Sequence, residues 1–357
     1  MPIAPIQADQ ALANWQTFDD IIDARSPDEW AHDALPQALN WPTLSNEERI
    51  QVGTLYKQVG AFEAKKLGAA MAASNIGRHI ATHVQNKPKH WKPLLYCWRG
   101  GNRSGALATV LSAIGFQVHL VEGGYKAWRN ALLAQFETLV APLRFHVICG
   151  PTGTGKTELL HRLAAHGAQT LDLEALACHR SSVLGALPGQ AQPNQKQFDT
   201  RLWLALQKLN PAQPVFVECE SKRIGNVAMP EALADAMRQS PCIHLSLDAT
   251  LRAHHLNQSY AHLHAQPEYL QNRLAALTQR LGKTGVAQLQ ALADAQDWTG
   301  LVQRLLQTHY DPAYQSSITK QFVGAADGPT HTLAAKQLSE LPMLWDEVAQ
   351  KLVRETR

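Results

Sequence analysis

The first candidate catalytic residue is a cysteine at the start of a loop rich in glycine and arginine. Residues 97–104 read Cys-Trp-Arg-Gly-Gly-Asn-Arg-Ser and come directly after the apolar run Pro93–Tyr96. The N–H groups of a Gly-rich turn, the start of a following helix and the charges of Arg99 and Arg103 all stabilise a thiolate. We therefore predict that Cys97 is the catalytic nucleophile. The rest of this loop is predicted to bind an oxyanion; its residues are Trp98, Arg99, Gly100, Gly101, Asn102, Arg103 and Ser104.

A second Gly-rich loop matches the phosphate-binding pattern G-x-x-x-x-G-K-[ST] in full. It lies between an apolar run at residues 144–149 and a helical pattern that begins at Lys156. Backbone N–H groups and the helix N-terminus bind phosphate there, and the Thr157 hydroxyl is placed for a Mg²⁺ ion. The pattern leaves open whether the loop holds a nucleotide or another diphosphate. The predicted phosphate-binding residues are Gly150, Thr152, Gly153, Thr154, Gly155, Lys156 and Thr157.

Carboxylates at strand ends are candidate partners for this loop. Glu218 and Glu220 lie at the end of the apolar run Val215–Cys219, and Asp172 lies at the end of Gln169–Leu173. Such residues bind a metal beside a phosphate or are simply solvated, and the sequence leaves both readings open. Further polar candidates are Glu174, Arg180 and Arg223.

Cysteine usage argues against a built-in metal centre. The chain has five cysteines, which lie far apart and include no C-x-x-C pair. A zinc site or a disulfide framework is therefore not expected, and the four cysteines other than Cys97 are interpreted as packing residues. We predict no tightly bound cofactor or resident metal, although Mg²⁺ is compatible with the phosphate loop.

The charge distribution is more informative than the net charge of +3. From Ala64 to Val121 there is no Asp or Glu, whereas the same window contains eight Lys or Arg residues. A window of one sign attracts polyanions such as nucleic acids, or it surrounds an anion-binding loop. Lys87, Lys89 and Lys92 are the predicted nucleic-acid contacts.

Apolar runs alternate with helical patterns in both halves of the chain. This alternation predicts an α/β protein of two domains, each a parallel sheet flanked by helices, with a mostly helical region after Gln266. The pattern breaks at Ala141-Pro142, and the predicted domains are residues 1–138 and 139–357. No apolar stretch is long enough to span a bilayer, and the N-terminus does not read as a secretory signal. A cytoplasmic location is expected; the sequence leaves the oligomeric state open and is compatible with a monomer.

Residues around Cys97 resemble the rhodanese domain of sulfurtransferases. The similar segments are Ile21–Trp30, Leu35–Pro42 and Gly115–Trp128, so the resemblance covers residues 10–130 with an insertion at 45–90. Ordinary rhodaneses place four residues between the loop's Cys and Arg, whereas five separate Cys97 from Arg103. That spacing is typical of cysteine-dependent phosphatases and favours a wider, tetrahedral anion. A phosphatase or arsenate reductase therefore competes with a sulfurtransferase on this motif.

The rhodanese-like segment followed by a phosphate loop resembles the tRNA 2-selenouridine synthases. Further similar segments are Leu171–Ala177, His179–Ser182 and Glu218–Gly225, although Cys219 stands where an Asp is common. The resemblance implies a transferase whose partner is tRNA carrying 2-thiouridine at the wobble position. It implies replacement of that sulfur by selenium from selenophosphate, through an S-geranyl intermediate made from geranyl diphosphate. The alternatives are a sulfurtransferase or phosphatase with a regulatory nucleotide domain, or a P-loop NTPase with an inactive rhodanese module.

Overall fold

A computed structural model of the chain describes residues 2–180, 182, 184, 185 and 189–356. The chain divides into two compact units, Met1–Gln135 and Phe136–Arg357. The division falls within one helix, Gly124–Val140, and the sequence break at Ala141-Pro142 directly follows that helix. Among the described residues, no helix is both long and apolar enough to cross a membrane.

The first unit is built on a parallel sheet. In the part of the chain that the structure describes, its strand order is β1-β5-β4-β2-β3. Every neighbouring pair of strands runs parallel. The strands are β1 (Ala4–Ile6), β2 (Asp20–Asp23), β3 (Leu39–Asn40), β4 (Pro93–Tyr96) and β5 (His119–Val121). The carboxyl ends of β2 and β4 are adjacent, so the loop after β4 begins at the edge of the sheet where ligands of α/β proteins usually bind.

Helices cover the first sheet and include a long hairpin. They are α1 (Ala8–Ala13), α2 (Pro27–His32), α3 (Asn46–Gln58), α4 (Ala61–His79), α5 (Asn102–Ile114) and α6 (Gly124–Val140), with a π-helical turn at Ile80–Val84 after α4. The sequence is helical in pattern from about Asn46 to Ala73, and the structure forms two helices there, α3 and α4, because the chain turns at Val59 and Gly60. Trp41, Trp91, Leu107 and Leu111 contribute to the buried core of this unit.

The second unit contains another parallel sheet. Among the described residues its strand order is β12-β11-β6-β8-β7. Its strands are β6 (Arg144–Cys149), β7 (Gln169–Leu171), β8 (Pro214–Glu218), β11 (Cys242–Leu247) and β12 (Thr330–Leu333), and a small antiparallel hairpin is formed by β9 (Arg223–Ile224) and β10 (Val227–Ala228). The sequence pattern does not predict β12, because Thr330–Leu333 is short, half polar and placed within a helical region. The two sheets confirm the predicted α/β class.

The helices of the second unit form two groups. Those on the sheet are α7 (Lys156–Ala165), α8 (Leu173–Ala177), α9 (Gln195–Leu206), α10 (Glu231–Arg238), α11 (Ala249–Ser259) and α16 (Leu341–Glu355). Those of the helical region are α12 (Pro267–Ala275), α13 (Thr278–Asp294), α14 (Trp298–Leu305) and α15 (Asp311–Gln321), with a π-helical turn at Leu306–Tyr310. A separate apolar cluster, which includes Leu274, Leu289 and Leu305, holds the helical region together. This confirms the predicted helical C-terminal part.

Candidate functional site

The Cys97 loop is held in place by the start of α6. Tyr125 donates its backbone N–H to the Cys97 carbonyl at 2.8 Å, and Lys126 donates to the Trp98 carbonyl at 3.1 Å. Gly124 has a φ of +58°, and a Cβ atom there would lie 2.2 Å from the Cys97 carbonyl oxygen. Only glycine permits this close approach, so the Gly-Gly-Tyr turn fixes the loop that carries the cysteine.

The surroundings of Cys97 favour its thiolate form. The side chain is 3% exposed. Burial raises the pKa of the Cys97 thiol, but the nearby Ser104 hydroxyl and N–H, the Arg103 charge and the Gly101 N–H outweigh burial and lower the pKa below its ordinary value. The side chain therefore has the electrostatics of a nucleophilic cysteine; Arg103 contributes as the sequence predicts, and Ser104 adds a contribution that the sequence does not predict.

Arg103 has a partner that the sequence does not reveal. Its guanidinium donates to both carboxylate oxygens of Glu29, at 2.6 and 3.2 Å, from 74 positions away along the chain. The Ser26 N–H and hydroxyl also donate to Glu29, which lies in the first turn of α2. The sequence places no carboxylate in the cysteine loop itself, and the fold supplies one from another segment. Glu29 therefore sets the direction of the Arg103 side chain.

Arg99 and Trp98 lie at the open edge of the same loop. Arg99 is exposed, and Trp98 is 37% exposed while its ring stacks on Tyr125 with centroids 5.4 Å apart. Gly100, Gly101 and Asn102 complete the turn and the start of α5. The structure thus brings all the predicted loop residues together, with one arginine paired and the other facing solvent.

A network of buried polar side chains packs beneath the Cys97 loop, at the ends of β2 and β4. Arg25 pairs with Asp23 at 2.6 Å and donates to the Asp33 carbonyl at 2.6 Å. Tyr96 donates its hydroxyl to Asp23 at 2.7 Å, and Tyr125 donates to Asp33 at 2.6 Å. Each of these buried groups has a partner, so the network ties the ends of β2 and β4 to the start of α6. It gives the cysteine loop a rigid base.

Replacing Arg103 by glutamine should raise the pKa of Cys97. The positive charge of Arg103 lowers this pKa, so its loss leaves less thiolate at neutral pH and slows alkylation there. The pH dependence of iodoacetamide alkylation at the Cys97 peptide, followed by mass spectrometry, measures the shift. Arg99→Gln is the matched control, because Arg99 is exposed and is expected to leave the midpoint in place. Equal shifts in both variants would contradict the assignment.

The phosphate loop joins β6 to α7, as predicted. Lys156 donates its ammonium group to the Gly150 carbonyl at 2.9 Å, so the side chain folds back over the loop. Thr154 is buried, and its hydroxyl donates to the Pro151 carbonyl at 2.9 Å. The predicted residues from Gly150 to Thr157 are therefore collected around the N-terminus of one helix.

Three side chains from distant helices bind the carbonyl groups of this loop. Arg252 donates to the Thr152 carbonyl at 3.1 Å, His255 contacts the Gly153 carbonyl at 3.0 Å, and Trp345 donates to the Thr154 carbonyl at 3.2 Å. Asp311 holds Arg252 through two bonds of 2.8 Å. Bonding these carbonyls on the outside of the loop leaves its N–H groups to face an anion. The sequence predicts none of these contacts.

Gly155 is required where the loop meets α16. Its φ is +83°, and a Cβ atom would lie 2.3 Å from the Trp345 ring. Trp345 itself is buried in the core beside α7. The glycine of the phosphate-binding pattern therefore also allows the last helix to pack against the loop.

Three glutamates converge next to Lys156. Carboxylate oxygens of Glu174, Glu218 and Glu220 all lie within 4.8 Å of one another. Glu218 is 1% exposed, and neither of its carboxylate oxygens has a hydrogen-bond partner of normal geometry among the described residues. Burial and the neighbouring Glu174 raise the pKa of Glu218 to about 8, although Lys156 and Thr157 act to lower it. Glu218 and Glu220 are therefore buried, and they are not solvated carboxylates at a strand end.

Lys156 compensates this negative charge. Burial lowers the pKa of Lys156, but the Cys219 side chain and the carboxylates of Glu218, Glu220 and Glu174 outweigh burial and raise it. The lysine therefore stays protonated beside the acidic residues, and a diphosphate bound in the loop would meet a fixed positive charge.

The remaining candidates in the second unit make different contacts, and the charge of Asp172 also helps to raise the pKa of Glu218. Asp172 caps α8 by accepting the Ala175 N–H at 2.8 Å and also contacts His161 at 3.0 Å. Arg180 donates to the Ser259 carbonyl and lies over the Tyr260 ring. Arg223 is exposed in the β9–β10 hairpin and donates to the Gly225 carbonyl. Ser181, within the segment His179–Ser182, lies outside the described residues.

The three lysines of the basic window differ in their contacts. Lys87 pairs with Asp20 at 2.5 Å and lies 5.2 Å from the centre of the Trp91 ring. Lys92 lies over the Phe18 ring, 5.0 Å from its centre. Lys89 is exposed. Lys89 is thus the clearest of the three as a contact for an external polyanion.

Known proteins resemble this chain along most of its length. The family profile described as "tRNA 2-selenouridine synthase AAA domain" matches residues 143–326, and the "Rhodanese-like domain" profile matches residues 6–131. A tRNA 2-selenouridine synthase from Marinobacter nauticus is 32% identical over 331 residues, which are 84% of this chain and 89% of the relative. The chain belongs to the tRNA 2-selenouridine synthase family. This membership confirms the resemblance and the enzyme class inferred from the sequence, a tRNA-modifying transferase.

Other members of the tRNA 2-selenouridine synthase family show similar relationships. The protein of that name from Nitrosomonas europaea is 36% identical over 244 residues, which are 67% of this chain and 63% of the relative, so the match spans less than two thirds of that protein. The one from Shewanella piezotolerans is 31% identical over 350 residues, 90% of this chain and 94% of the relative. A solved rhodanese-related protein from Thermoplasma volcanium aligns with 36% of this chain and 91% of its own at 20% identity, but its TM-score of 0.24 is too low to bear on the fold.

Proposed function

We propose that this chain converts 2-thiouridine at the wobble position of tRNA into 2-selenouridine. The observation that carries the proposal is that one chain of this family combines an activated thiol in an anion-binding loop with a complete phosphate loop. The two sites suit two different anionic substrates. We assign selenophosphate to the Cys97 loop and geranyl diphosphate to the phosphate loop.

Selenophosphate matches the Cys97 loop in charge and shape. The loop is longer by one residue than in ordinary rhodaneses, and it presents Arg103, N–H groups and the start of α5 near the thiol, with Arg99 exposed at its edge. A tetrahedral anion with several oxygens uses more donors than a single sulfur atom does. The lowered pKa of Cys97 increases its thiolate fraction, whether the sulfur carries selenium covalently or shapes the anion site.

Geranyl diphosphate matches the phosphate loop. Its diphosphate offers the same oxygens as the end of a nucleotide, and the loop provides N–H groups, the α7 N-terminus and Lys156. Charge neutralisation there makes diphosphate a better leaving group, so the 2-thiouridine sulfur attacks the geranyl carbon as the carbon–oxygen bond breaks. The alkylated sulfur is in turn a better leaving group when the selenium of selenophosphate attacks the base: geranyl thiol leaves, and water cleaves the phosphorus–selenium bond to release phosphate.

A Mg²⁺ ion fits the residues beside this loop. Within the described part of the chain, Glu218 is buried without a hydrogen-bond partner of normal geometry, and Glu174 and Glu220 provide further oxygens within 4.8 Å. Hard oxygen ligands of this kind are those that Mg²⁺ prefers. When bound, the ion would neutralise charge on the diphosphate, and Glu174, Glu218, Glu220 and Thr157 would hold it. Lys156 keeps its own position through the Gly150 carbonyl.

We assign tRNA binding to the basic window of the first unit, residues 64–121. The enzyme is expected in the cytoplasm with its substrate.

Lys89→Glu should weaken tRNA binding and reduce the slope of log K against log salt by roughly one, as for one lost phosphate contact. Filter binding at several salt concentrations measures both. Exposed Lys208, outside the window, gives the matched control Lys208→Glu. Normal binding by the Lys89 variant at every salt concentration would remove Lys89 from the tRNA surface.

Nucleoside mass spectrometry of 2-thiouridine tRNA incubated with the protein tests the proposed reaction. With geranyl diphosphate alone, the expected product is S-geranyl-2-thiouridine. With both geranyl diphosphate and selenophosphate, the expected product is 2-selenouridine. Unchanged 2-thiouridine in both reactions would overturn the proposal. Hydrolysis of p-nitrophenyl phosphate without any change in tRNA would instead favour the phosphatase alternative, which the Cys97–Arg103 spacing raises.

A further inference from the structure

Three cysteines come together at the base of the phosphate loop. Cys149 is the last residue of β6, Cys219 directly follows β8, and Cys242 is the first residue of β11. Strands β8 and β11 lie on either side of β6. In sequence these residues are far apart, and only the parallel sheet brings their side chains to one place.

The strand register sets Cys149 and Cys219 opposite each other. Ile148 is paired with Glu218, and the Cys219 N–H donates to the Ile148 carbonyl at 2.9 Å, so the next residues along the two strands face one another. Neighbouring strands lie about 4.8 Å apart, which falls within the range of Cα separations that a disulfide spans. The Cys219 and Cys242 side chains both raise the pKa of the Cys149 thiol, as expected when the three thiols lie close together.

Exposure distinguishes the three thiols. Cys149 and Cys242 are 0% and 1% exposed, whereas Cys219 is half-buried at the end of its strand, near Lys156. A small reagent that enters the phosphate loop therefore reaches Cys219 first. Cys149, opposite Cys219 in the strand register and shielded from solvent, is the thiol placed to react second.

We propose that Cys149 and Cys219 form an oxidative modification site that hydroperoxides convert into a reversible disulfide. The Cys219 sulfur attacks the oxygen–oxygen bond of hydrogen peroxide and becomes a sulfenic acid, and the thiol proton leaves with hydroxide as water. The Cys149 sulfur then attacks the Cys219 sulfur, and the sulfenic oxygen leaves as a second water. Two thiols are oxidised and one peroxide is reduced to two waters.

The test is disulfide mapping of the full-length Cys97→Ser protein after brief treatment with hydrogen peroxide. Remaining thiols are blocked with N-ethylmaleimide before digestion and mass spectrometry. The expected product is a linked peptide pair containing Cys149 and Cys219, two hydrogens lighter than the separate peptides, which dithiothreitol reverses. Circular dichroism before and after treatment confirms that the protein stays folded.

Two variants complete the test. Cys219→Ser should abolish the linked pair, whereas Cys178→Ser should leave it intact, because Cys178 lies at the end of α8 beside Arg201. Recovery of Cys149 and Cys219 as separately blocked peptides, or of a Cys149–Cys242 pair in their place, would overturn the assignment. None of these readouts depends on tRNA or selenium, so the result stands apart from the proposed function.

Discussion

Selenium incorporation into tRNA should be lost in the Cys97→Ser variant, with a fall in rate of at least about 10³-fold. A serine hydroxyl stays protonated in surroundings that lower the pKa of the Cys97 thiol, so the variant keeps the shape of the loop and loses its anionic nucleophile. The measurement is the yield of 2-selenouridine from 2-thiouridine tRNA supplied with geranyl diphosphate and selenophosphate. The substitution replaces one sulfur atom by an oxygen atom at a buried site, so the fold should be retained.

The Cys97→Ser protein also separates the two half-reactions. S-geranyl-2-thiouridine should still form in it, because we assign that step to the phosphate loop. Cys178→Ser provides a control for loss of a thiol elsewhere in the chain. If the Cys97 variant produced 2-selenouridine at the normal rate, Cys97 would have no catalytic role.

The local parts of both sites follow from sequence, since each is a contiguous motif. Residues 97–104 and 150–157 carry their own glycines, donors and helix starts, and the structure forms both loops where the spacing predicts them. Strand β6 and helix α7 even have the predicted bounds. Short motifs succeed here because their conformation depends on neighbours within a few residues.

Contacts that cross the fold do not follow from sequence. Glu29 reaches Arg103 from 74 positions away, and Trp345 reaches Thr154 from 191 positions away. Neither has a local signal, because a glutamate in the first turn of α2 also caps that helix and a tryptophan in α16 also fills the core. The sequence therefore predicts the residues of the two loops but not the distant side chains, such as Glu29 and Trp345, that hold them in position.

Burial is the second quantity that the sequence left open. A carboxylate at a strand end reads equally well as solvated or as a ligand, and only the packing around Glu218 decides between them. The same holds for Lys87, whose charge is neutralised by Asp20 in the structure. Charge counts along the chain therefore identify a basic window, but they do not identify which of its lysines are free to bind.

Lys156→Met should weaken binding of geranyl diphosphate by roughly 10- to 150-fold, which corresponds to the loss of about 1.5–3 kcal/mol from a charge-assisted hydrogen bond. Methionine keeps much of the length of the lysine side chain and removes its charge. Isothermal titration calorimetry with geranyl diphosphate measures the change. Lys196→Met in α9 is a matched control, because Lys196 lies outside the phosphate loop.

The Lys156 variant should remain folded for an electrostatic reason. Lys156 lowers the pKa of Glu218, which is already raised to about 8. Without the lysine that pKa rises further, so Glu218 stays protonated at neutral pH and carries no buried charge. An unchanged thermal unfolding midpoint at pH 7 would support this, and a collapse of stability would show that the variant reports on folding instead of binding.

The two variants together make a reciprocal test of the assignment. Lys156→Met should lose geranylation but should still convert tRNA that already carries S-geranyl-2-thiouridine when selenophosphate is supplied. Cys97→Ser should behave in the opposite way, since it retains the alkylation site and lacks the selenium site. If both variants lost both steps, a division of labour between the two loops would be wrong, and the two motifs would have to act on one shared intermediate.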